Sequence, residues 1–568
     1  MDSPDMYMAL QALLAIFGSS LAIFITLPAI KEALGSNSDL LRIVAGAFAG
    51  SGSAAILYHY LKEKLSTMPL LFKRGHVIIC GLNYHTSLII RDLVRRKIKP
   101  VIIESDAENT YIESCTTMGL ITLIGEPSDP VMLKRANVKK AGNVLSLSDV
   151  DEDNAEVALT VMQMVPATGQ SPLTCTIQVL NPQLYGIIRK HAFSSRKDSS
   201  VRIEFFNQYA LGARMLLERH PPFPLHQPPA DPPTVLIIGA GRLGDSLMTR
   251  IARIWYEEHK ADGSRLRLTL LDVQAGQIRA GLLLQSPKIA EACDLVALPL
   301  DVRSAEFRTG AFLQDPRFQK DFTAYVCLDD DSLGLYAALT LHPHTAGRNV
   351  RFVVRMDHNT SVAKLIADEQ VGLKSIRDIL PVNMYELTAN SQLILAGEEE
   401  ILARAIHENY CSRERLKRET KESNRLIVSW DELGTLTARK DGIDGKKYQE
   451  SNRRQANFIW TKLSLVGCSI GPVTDWDAPD TFRFSSDEIE SLARLEHERW
   501  MDEKTKSGWQ YGNIRDDARK LHPSIISYDQ LSEPEKEKDR DTIRQIPGLL
   551  SRIDFQVNRE AGVPHGAG

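Results

Sequence analysis

The feature that most constrains the fold is a pattern written twice. An apolar strand ends in a glycine turn, a helix follows, and a second apolar strand ends in an acid. The sharper copy is Thr234-Val-Leu-Ile-Ile-Gly239-Ala-Gly241-Arg242-Leu243-Gly244, a full G-x-G-x-x-G, followed by Leu268-Thr-Leu-Leu-Asp272. The earlier copy is Gly75-His-Val-Ile-Ile-Cys-Gly81-Leu-Asn83-Tyr-His85-Thr86, followed by Val101-Ile-Ile-Glu104. Strands that alternate with helices need crossover connections, so each copy predicts a parallel, doubly wound sheet. Further strands are expected at 120–124, 143–147 and 174–179 in the first copy, and at 294–300, 324–328 and 350–354 in the second. The chain is therefore read as two tandem Rossmann-like domains, 75–220 and 234–400. Between them lies the segment 221–233, in which seven of thirteen residues are Pro, a stiff extended spacer.

The chemistry of the second copy is specific. Gly239 permits the tight turn, Gly241 lets a phosphate approach the backbone, and Gly244 lets helix pack on strand. Arg242 and Leu243 open the helix, whose free N–H groups face an anion. Asp272 is placed to accept from ribose hydroxyls, which disfavours a 2′-phosphate. The first copy keeps Gly81 and Glu104 but adds side chains at Asn83 and Thr86, where a phosphate would come close. It is expected to be mainly a packing or dimerising domain, with Gly81, Asn83 and Glu104 as weaker ligand candidates.

Mean hydropathy, −0.19, would pass for a soluble chain. That average hides the first 66 residues. Met8 to Ile30 and Ile43 to Leu61 carry no charge, and the first run, as a helix of about 34 Å, is long enough for a hydrocarbon core of about 30 Å. A two-helix transmembrane hairpin is expected over 1–66. Gly46 and Gly50 form a G-x-x-x-G, and with Ser51 and Ser53 they give a small, hydroxyl-bearing face for helix packing or pore lining. Lys62, Lys64, Lys73 and Arg74 follow the second run. The positive-inside rule then places the large C-terminal part, and with it the N-terminus, on the cytoplasmic side of the inner (plasma) membrane. The acidic start argues against a cleaved signal peptide. The connector of about a dozen residues is too short for a pore helix plus a carbonyl-lined filter.

Other classes are set aside by composition. The seven cysteines are odd in number and widely spaced, without a C-x-x-C, so neither a disulfide framework nor a metal site is expected. A net charge of −4 gives no reason to expect nucleic acid as a partner.

The C-terminal third changes character. A charged helical connector, read as solvated, covers 401–445. Residues 446–555 are a mainly helical domain, and 556–568 read as a flexible tail. Two Trp, two Tyr and several Arg in one short domain can box a flat anionic ligand, with aromatic faces on a base and guanidinium forks on phosphate.

Region 75–400, with its turns at Gly81 and Gly239, its acids Glu104 and Asp272, and Gly125-Glu-Pro-Ser-Asp129 after the third strand, resembles the RCK domains that regulate potassium channels and transporters. The resemblance is clearer in the second copy. It implies nucleotide or ion binding and pairing into dimers and rings. Leu495-Glu-His-Glu-Arg-Trp500, Gly508-Trp509-Gln-Tyr511-Gly512, Asp516-Asp517, His522-Pro523 and Lys538-Asp539-Arg540 resemble the repeat domain named after ryanodine receptors. That resemblance implies Trp500 and Trp509 as stacking residues, with Tyr511, Arg515 and Arg540 as supporting or phosphate groups. The expectation is a membrane-anchored nucleotide sensor, an even-numbered homo-oligomer (dimer or tetramer) whose ligand (NAD, ADP-ribose, ATP or a cyclic nucleotide) controls ion passage or membrane disruption, in the setting of defence signalling. The alternatives are an NAD-dependent oxidoreductase on a membrane anchor, for which no proton-transfer constellation is found beside either fingerprint, and a non-gating scaffold that nucleotide merely stabilises.

Overall fold

The computed structural model describes residues 70, 72–166, 173–181, 184, 187–188, 201–224, 231–358, 366, 377–419, 427–435, 445–516 and 519–559. Both uncharged N-terminal runs, with Gly46, Gly50, Ser51 and Ser53, lie outside the described residues. Among the described residues no helix is long and apolar enough to cross a membrane, and all seven cysteines are buried and none is in a disulfide.

Repeat 1 forms one six-stranded sheet from β1 (Val77–Cys80), β2 (Val101–Glu104), β3 (Ile121–Ile124), β4 (Asn143–Ser146), β5 (Leu173–Gln178) and β6 (Val201–Phe206). Repeat 2 forms another from β7 (Thr234–Ile238), β8 (Leu266–Asp272), β9 (Cys293–Pro299), β10 (Phe322–Val326), β11 (Val350–Met356) and β12 (Ile379–Asn383). All pairs are parallel. The orders are β3-β2-β1-β4-β5-β6 and β12-β11-β10-β7-β8-β9. Counted from each repeat's first strand, both are the dinucleotide-type order, which opens a crevice at the carboxyl ends where the winding reverses. The central strands are continuous apolar runs because both sheet faces are covered; Ile78, Ile102, Leu236 and Ile237 are fully buried. The sequence did not reveal β6 and β12. The first carries Arg202 and Glu204 and is only half-buried at three of its six positions, and the second carries Pro381, which is tolerated on an edge strand.

The two repeats exchange the helices that follow their last strands. In repeat 1, α1 (Tyr84–Arg95) follows β1 and α2 (Gln208–Arg219) follows β6; in repeat 2, α3 (Arg242–His259) follows β7. The Asn207 side chain caps α2 by accepting from Tyr209 N and Ala210 N. Ala213, Leu216 and Leu217 of α2 are buried in the core of repeat 2, with Val235 and with Leu247, Met248 and Ile251 of α3. Each such leucine contributes about 1.5–3 kcal/mol. In return, the segment after β12 places Ala389 and Ile394 against Ile89, Ile90 and Leu93 of α1. Ser391 Oγ donates to Asp92 at 2.6 Å, and Asn143 Nδ2 donates to Leu395 O at 3.1 Å. Tyr209, Arg355, Asp357 and Tyr385 line one small pocket where the repeats meet. The ends of the Pro-rich spacer are docked rather than free: Phe223 packs edge-on against Trp255, and Arg351 donates to Pro221 O at 2.7 Å.

The C-terminal unit is built from α4 (Glu398–Glu419), α5 (Gly445–Leu465), α6 (Ser486–Lys506), α7 (Glu533–Arg544) and α8 (Ile546–Ser551), with a short parallel pair of β14 (Gln510–Tyr511) and β15 (Leu521–His522) and an antiparallel pair of β13 (Cys468–Pro472) and β16 (Phe555–Arg559). Two expectations change here. The connector is not a solvated helix, because Leu402, Ala403, Ala405 and Ile406 of α4 and Trp430 share one core with Ala456, Ile459, Ile543 and Leu550. The charge of the stretch as a whole conceals this buried stripe. Residues 556–559 also belong to β16 rather than to a tail.

Candidate functional site

The two crevices differ where the sequences differ. In repeat 2, Gly239 has φ +85°, and a Cβ on Gly244 would stand 2.4 Å from the Gly239 carbonyl oxygen, so the close approach of α3 to its strand requires glycine. Gly241 is the N-cap of α3 and offers no side-chain cap. Arg242 lies exposed at the helix start and Leu243 is buried beneath it. The first-turn amides are thus open to an anion. In repeat 1 the same position is Asn83. Its Oδ1 accepts from Thr86 N at 2.8 Å and Thr86 Oγ1 accepts from Asn83 N at 2.8 Å, a closed capping box. Asn83 Nδ2 also donates to Leu147 O. A side chain therefore takes the place of the anion, and Asn83 has a capping role.

The two acids do equivalent work. Asp272 Oδ2 accepts from Ala240 N at 3.0 Å and Oδ1 from Gln274 N at 2.8 Å. Glu104 Oε2 accepts from Leu82 N at 2.6 Å and Oε1 from Asp106 N at 2.9 Å. Each acid ties the residue after the turn glycine (Gly81 or Gly239) to its own strand. Each oxygen keeps a lone pair for a ribose hydroxyl, but Glu104 is 4% exposed whereas Asp272 is half-exposed.

The rim of the repeat 2 crevice is charged. Buried Arg355, at the end of β11, donates to Asp357 at 3.0 and 2.9 Å and also bonds Asp329, which follows β10. Arg242 and Arg355 both lie over the ring of Tyr209, at 5.8 and 6.0 Å. Tyr209 comes from α2, so repeat 1 supplies part of this rim.

The aromatic box forms at the end of α6. Trp500 and Lys504 share a face, one turn apart. The helix then stops in a Schellman turn: Gly508, at φ +84°, donates to Thr505 O and Trp509 N donates to Lys504 O at 3.0 Å. That reversal brings Trp509 back beside Trp500. His522 lies edge-on to both rings, at 5.0 and 6.2 Å, and Lys504 Nζ lies 6.0 and 5.0 Å from their centroids. His497 stacks on Trp500 at 5.7 Å. Tyr511 is 54% exposed and donates to Asn513 at 2.7 Å; Arg515 is exposed on the same loop. Arg540 is engaged with carboxylates. Glu490, Glu533 and Glu537 hold it at 2.7, 2.9 and 3.3 Å, so its role is ionic bracing of α7 against α6. His522, His497 and Lys504 were missed as box residues, although the first two stand inside motifs the sequence displays. Among the described residues no side-chain cluster suits a metal ion.

The box and the crevice belong to one assembly. Arg250, Arg253, Tyr256, Glu257 and Lys260 form one stripe of α3, the helix that begins at the glycine loop. Asp554, in left-handed conformation (φ +70°), bonds Arg214 of α2 at 2.8 Å and also Arg250 and Arg253. Burial opposes the Asp554 charge, but Arg250, Arg253 and Arg214 together outweigh it and hold its pKa well below the usual carboxylate range. Tyr256 donates to Asp477 at 2.8 Å, Lys288 pairs with Asp477 at 2.9 Å, and Ser551 donates to Glu257 at 2.9 Å.

Against known families, residues 485–559 match the RyR domain and residues 77–184 match the TrkA-N domain. The chain contains a TrkA-N (RCK-like) domain and a RyR domain. The TrkA-N match falls on the repeat whose glycine fingerprint is eroded. An uncharacterized protein of Methanothermus fervidus is 26% identical over 106 residues, 19% of this chain and 16% of that protein; the chain spans about a sixth of that relative's length. Among solved structures, the GsuK RCK domain is similar at 17% identity and TM-score 0.38, covering 59% of this chain and 79% of that one. The GsuK channel bound to NAD gives 16%, 0.39, 68% and 78%, and the human SLO3 gating ring 9%, 0.39, 57% and 82%.

Proposed function

We propose that this chain is a membrane-anchored nucleotide sensor. A nucleotide-type ligand binds at the crevice of repeat 2 or in the RyR box, and the paired repeats pass the event to an N-terminal two-helix hairpin. The observation that carries this reading is the joint at Asp554. One carboxylate of the RyR domain is gripped by arginines from the lent helix α2 and from α3, whose first residues form the glycine loop. A ligand that prefers one arrangement of this joint shifts the whole assembly. The hairpin rests on the uncharged runs at 8–30 and 43–61, with Gly46, Gly50, Ser51 and Ser53 on its packing or pore face. The cytoplasmic placement at the inner membrane rests on the Lys and Arg after residue 61.

The ligand is NAD, ADP-ribose, ATP or a cyclic nucleotide, and the output is ion passage or membrane disruption; defence signalling is the proposed setting. The assembly is a homo-oligomer, a dimer or tetramer. The chain acts as a receptor rather than an enzyme. The groups on the crevice rim are engaged with one another, Arg355 with Asp329 and Asp357, which suits binding better than turnover.

The test is reconstitution of the full chain in liposomes, with each candidate nucleotide titrated while ion flux and dye leakage are followed. Conductance or leakage that saturates with one nucleotide supports the sensor. Tight nucleotide binding with no permeability change under any of them would move the reading to a scaffold. Steady NAD reduction with a small alcohol or acid would move it to an oxidoreductase.

A further inference from the structure

Each crevice is roofed by a tyrosine from the other repeat. The sequence repeats the device: Asn207-Gln-Tyr209 after β6 and Asn383-Met-Tyr385 after β12, with each Asn capping its helix. Tyr385 sits edge-on to Tyr84 at 5.5 Å and beside His85, and Tyr84 also stacks on His358 at 5.0 Å. Tyr84 is the first residue of α1, the position of Arg242 in α3. The repeat 1 roof is therefore a closed aromatic cluster. The repeat 2 roof is Tyr209, with the guanidiniums of Arg242 and Arg355 5.8 and 6.0 Å from its ring.

Arg355 is 6% exposed and its charge is already met. Asp357 takes one side of the guanidinium, and Asp331 in turn accepts from Asp357 N and His358 N. The other side goes to Asp329. The Asp329 side chain is 80% exposed, so nothing buries it there. Its two oxygens stand 3.7 and 3.8 Å from the point where a Cβ on Gly241 would sit, the approach that the glycine loop leaves open for a phosphate. A solvent-facing carboxylate thus occupies the anion's place beside an uncapped helix start, tethered to a buried arginine.

We infer that Asp329 is a built-in occupant of the phosphate subsite, and that the phosphates of a nucleoside diphosphate-type ligand displace it from Arg355 and settle under Tyr209. This rests on the reading of the repeat 2 crevice as a nucleotide site. It makes Asp329 a specificity residue. It sets a threshold that a phosphate-bearing ligand overcomes by replacing the ion pair, and that a bare nucleoside has no charge to overcome. Tyr209 opens α2, the helix that carries Arg214 to Asp554, so the exchange occurs at the head of the coupling helix.

The test uses the full chain carrying Trp500→Ala and Trp509→Ala together, which removes both stacking rings of the aromatic box, with ADP titrated calorimetrically and adenosine measured by displacement of ADP. Adding Asp329→Asn is expected to tighten ADP by roughly three- to tenfold, the scale of an exposed ion pair plus the carboxylate–phosphate repulsion it removes, and to leave adenosine unchanged. Asp329 is exposed, so folding is not at stake. Unchanged ADP affinity, or an equal gain for adenosine, overturns the inference while the crevice reading survives. If neither ADP nor any of the candidate nucleotides NAD, ADP-ribose, ATP and a cyclic nucleotide binds this background, with or without Asp329→Asn, the crevice reading itself falls and takes the inference with it.

Discussion

Asp554 of the RyR domain lies 2.8 Å from the guanidinium of Arg214, on a helix that repeat 1 lends to repeat 2. Arg250 and Arg253 close on the same carboxylate from α3. One side chain therefore joins three parts of the chain that are far apart in sequence. Asp554→Asn is expected to leave three arginines around a neutral amide. About a third of the Asp554 side chain is in contact with solvent (34%), so the cost falls below that of a fully buried pair, at about 1–3 kcal/mol. The variant should bind nucleotide at each site as before but lose the effect of either site on the other, and amide exchange should rise in 546–559. Undiminished coupling between the sites would remove the joint from the mechanism. The low pKa of Asp554 means that its contribution is present above the unfolded value of about 3.9 and fades only as pH falls toward the folded one. The domains should therefore stay docked in mild acid.

Trp500 and Trp509 share His522 and Lys504 as neighbours, whereas Arg540 is spent on three glutamates. Base stacking is worth about 1–3 kcal/mol per ring, so Trp500→Ala and Trp509→Ala should each weaken a ligand held in the box by roughly ten- to a hundredfold, with oligomer size by light scattering unchanged. Arg540→Ala should lower the melting temperature of the RyR domain and leave ligand affinity alone. Loss of affinity in the arginine variant would restore it to the site.

His497 connects that box to pH. Its Nδ1 lies 3.3 Å from Asp539 and its Nε2 is 2.8 Å from Ile526 O. Burial alone would lower its pKa; the Asp539 contact and the Ile526 carbonyl raise it above the ordinary value. A raised folded pKa stabilises the fold fully below the unfolded pKa of about 6.5, and the contribution is lost as pH rises through the folded value. Thermal unfolding followed by tryptophan fluorescence should show the RyR transition falling as pH climbs from about 6.5, with His497→Gln removing that slope. A transition flat in pH for the unmutated chain would mean that Asp539 does not hold a proton on the ring.

What could be read from the sequence was local. The runs at 77–80, 101–104, 235–238 and 268–272 are mainly apolar and lead into a Gly or end in an acid, so strand, turn and winding followed from them. The segments Leu495–Trp500 and Gly508–Gly512 carried the RyR signal in contiguous residues. The helix exchange was not legible, because whether Leu216 and Leu217 pack at home or on the neighbour depends on two sheets already folded. The only trace of it, an Asn followed two residues later by Tyr at 207–209 and 383–385, is too short to stand out. The burial of α4 was masked by its own charge, and Asp554 looked like one acid among 72. Its meaning comes from arginines some 300 and more residues earlier.

The glycines of repeat 2 offer the cleanest separation of folding from binding. A methyl at Gly244 would meet the Gly239 carbonyl oxygen at 2.4 Å, and backbone on both sides has nowhere to move. Gly244→Ala is therefore expected to destabilise repeat 2 by about 1–3 kcal/mol, as overpacking does, and to lose ligand as a consequence. A methyl at Gly241 meets nothing nearer than the Asp329 carboxylate at 3.7 Å, and the backbone there is extended with negative φ. Gly241→Ala should change stability by only about 0.5–1 kcal/mol, the scale of an N-cap substitution, while standing where a phosphate would approach α3. Calorimetric titration with ADP beside a melting curve reads both effects. The expected pattern is a near-normal melt with roughly tenfold weaker binding or worse for Gly241→Ala, and a depressed melt for Gly244→Ala. Full ADP affinity in Gly241→Ala would show that no phosphate lies on this loop.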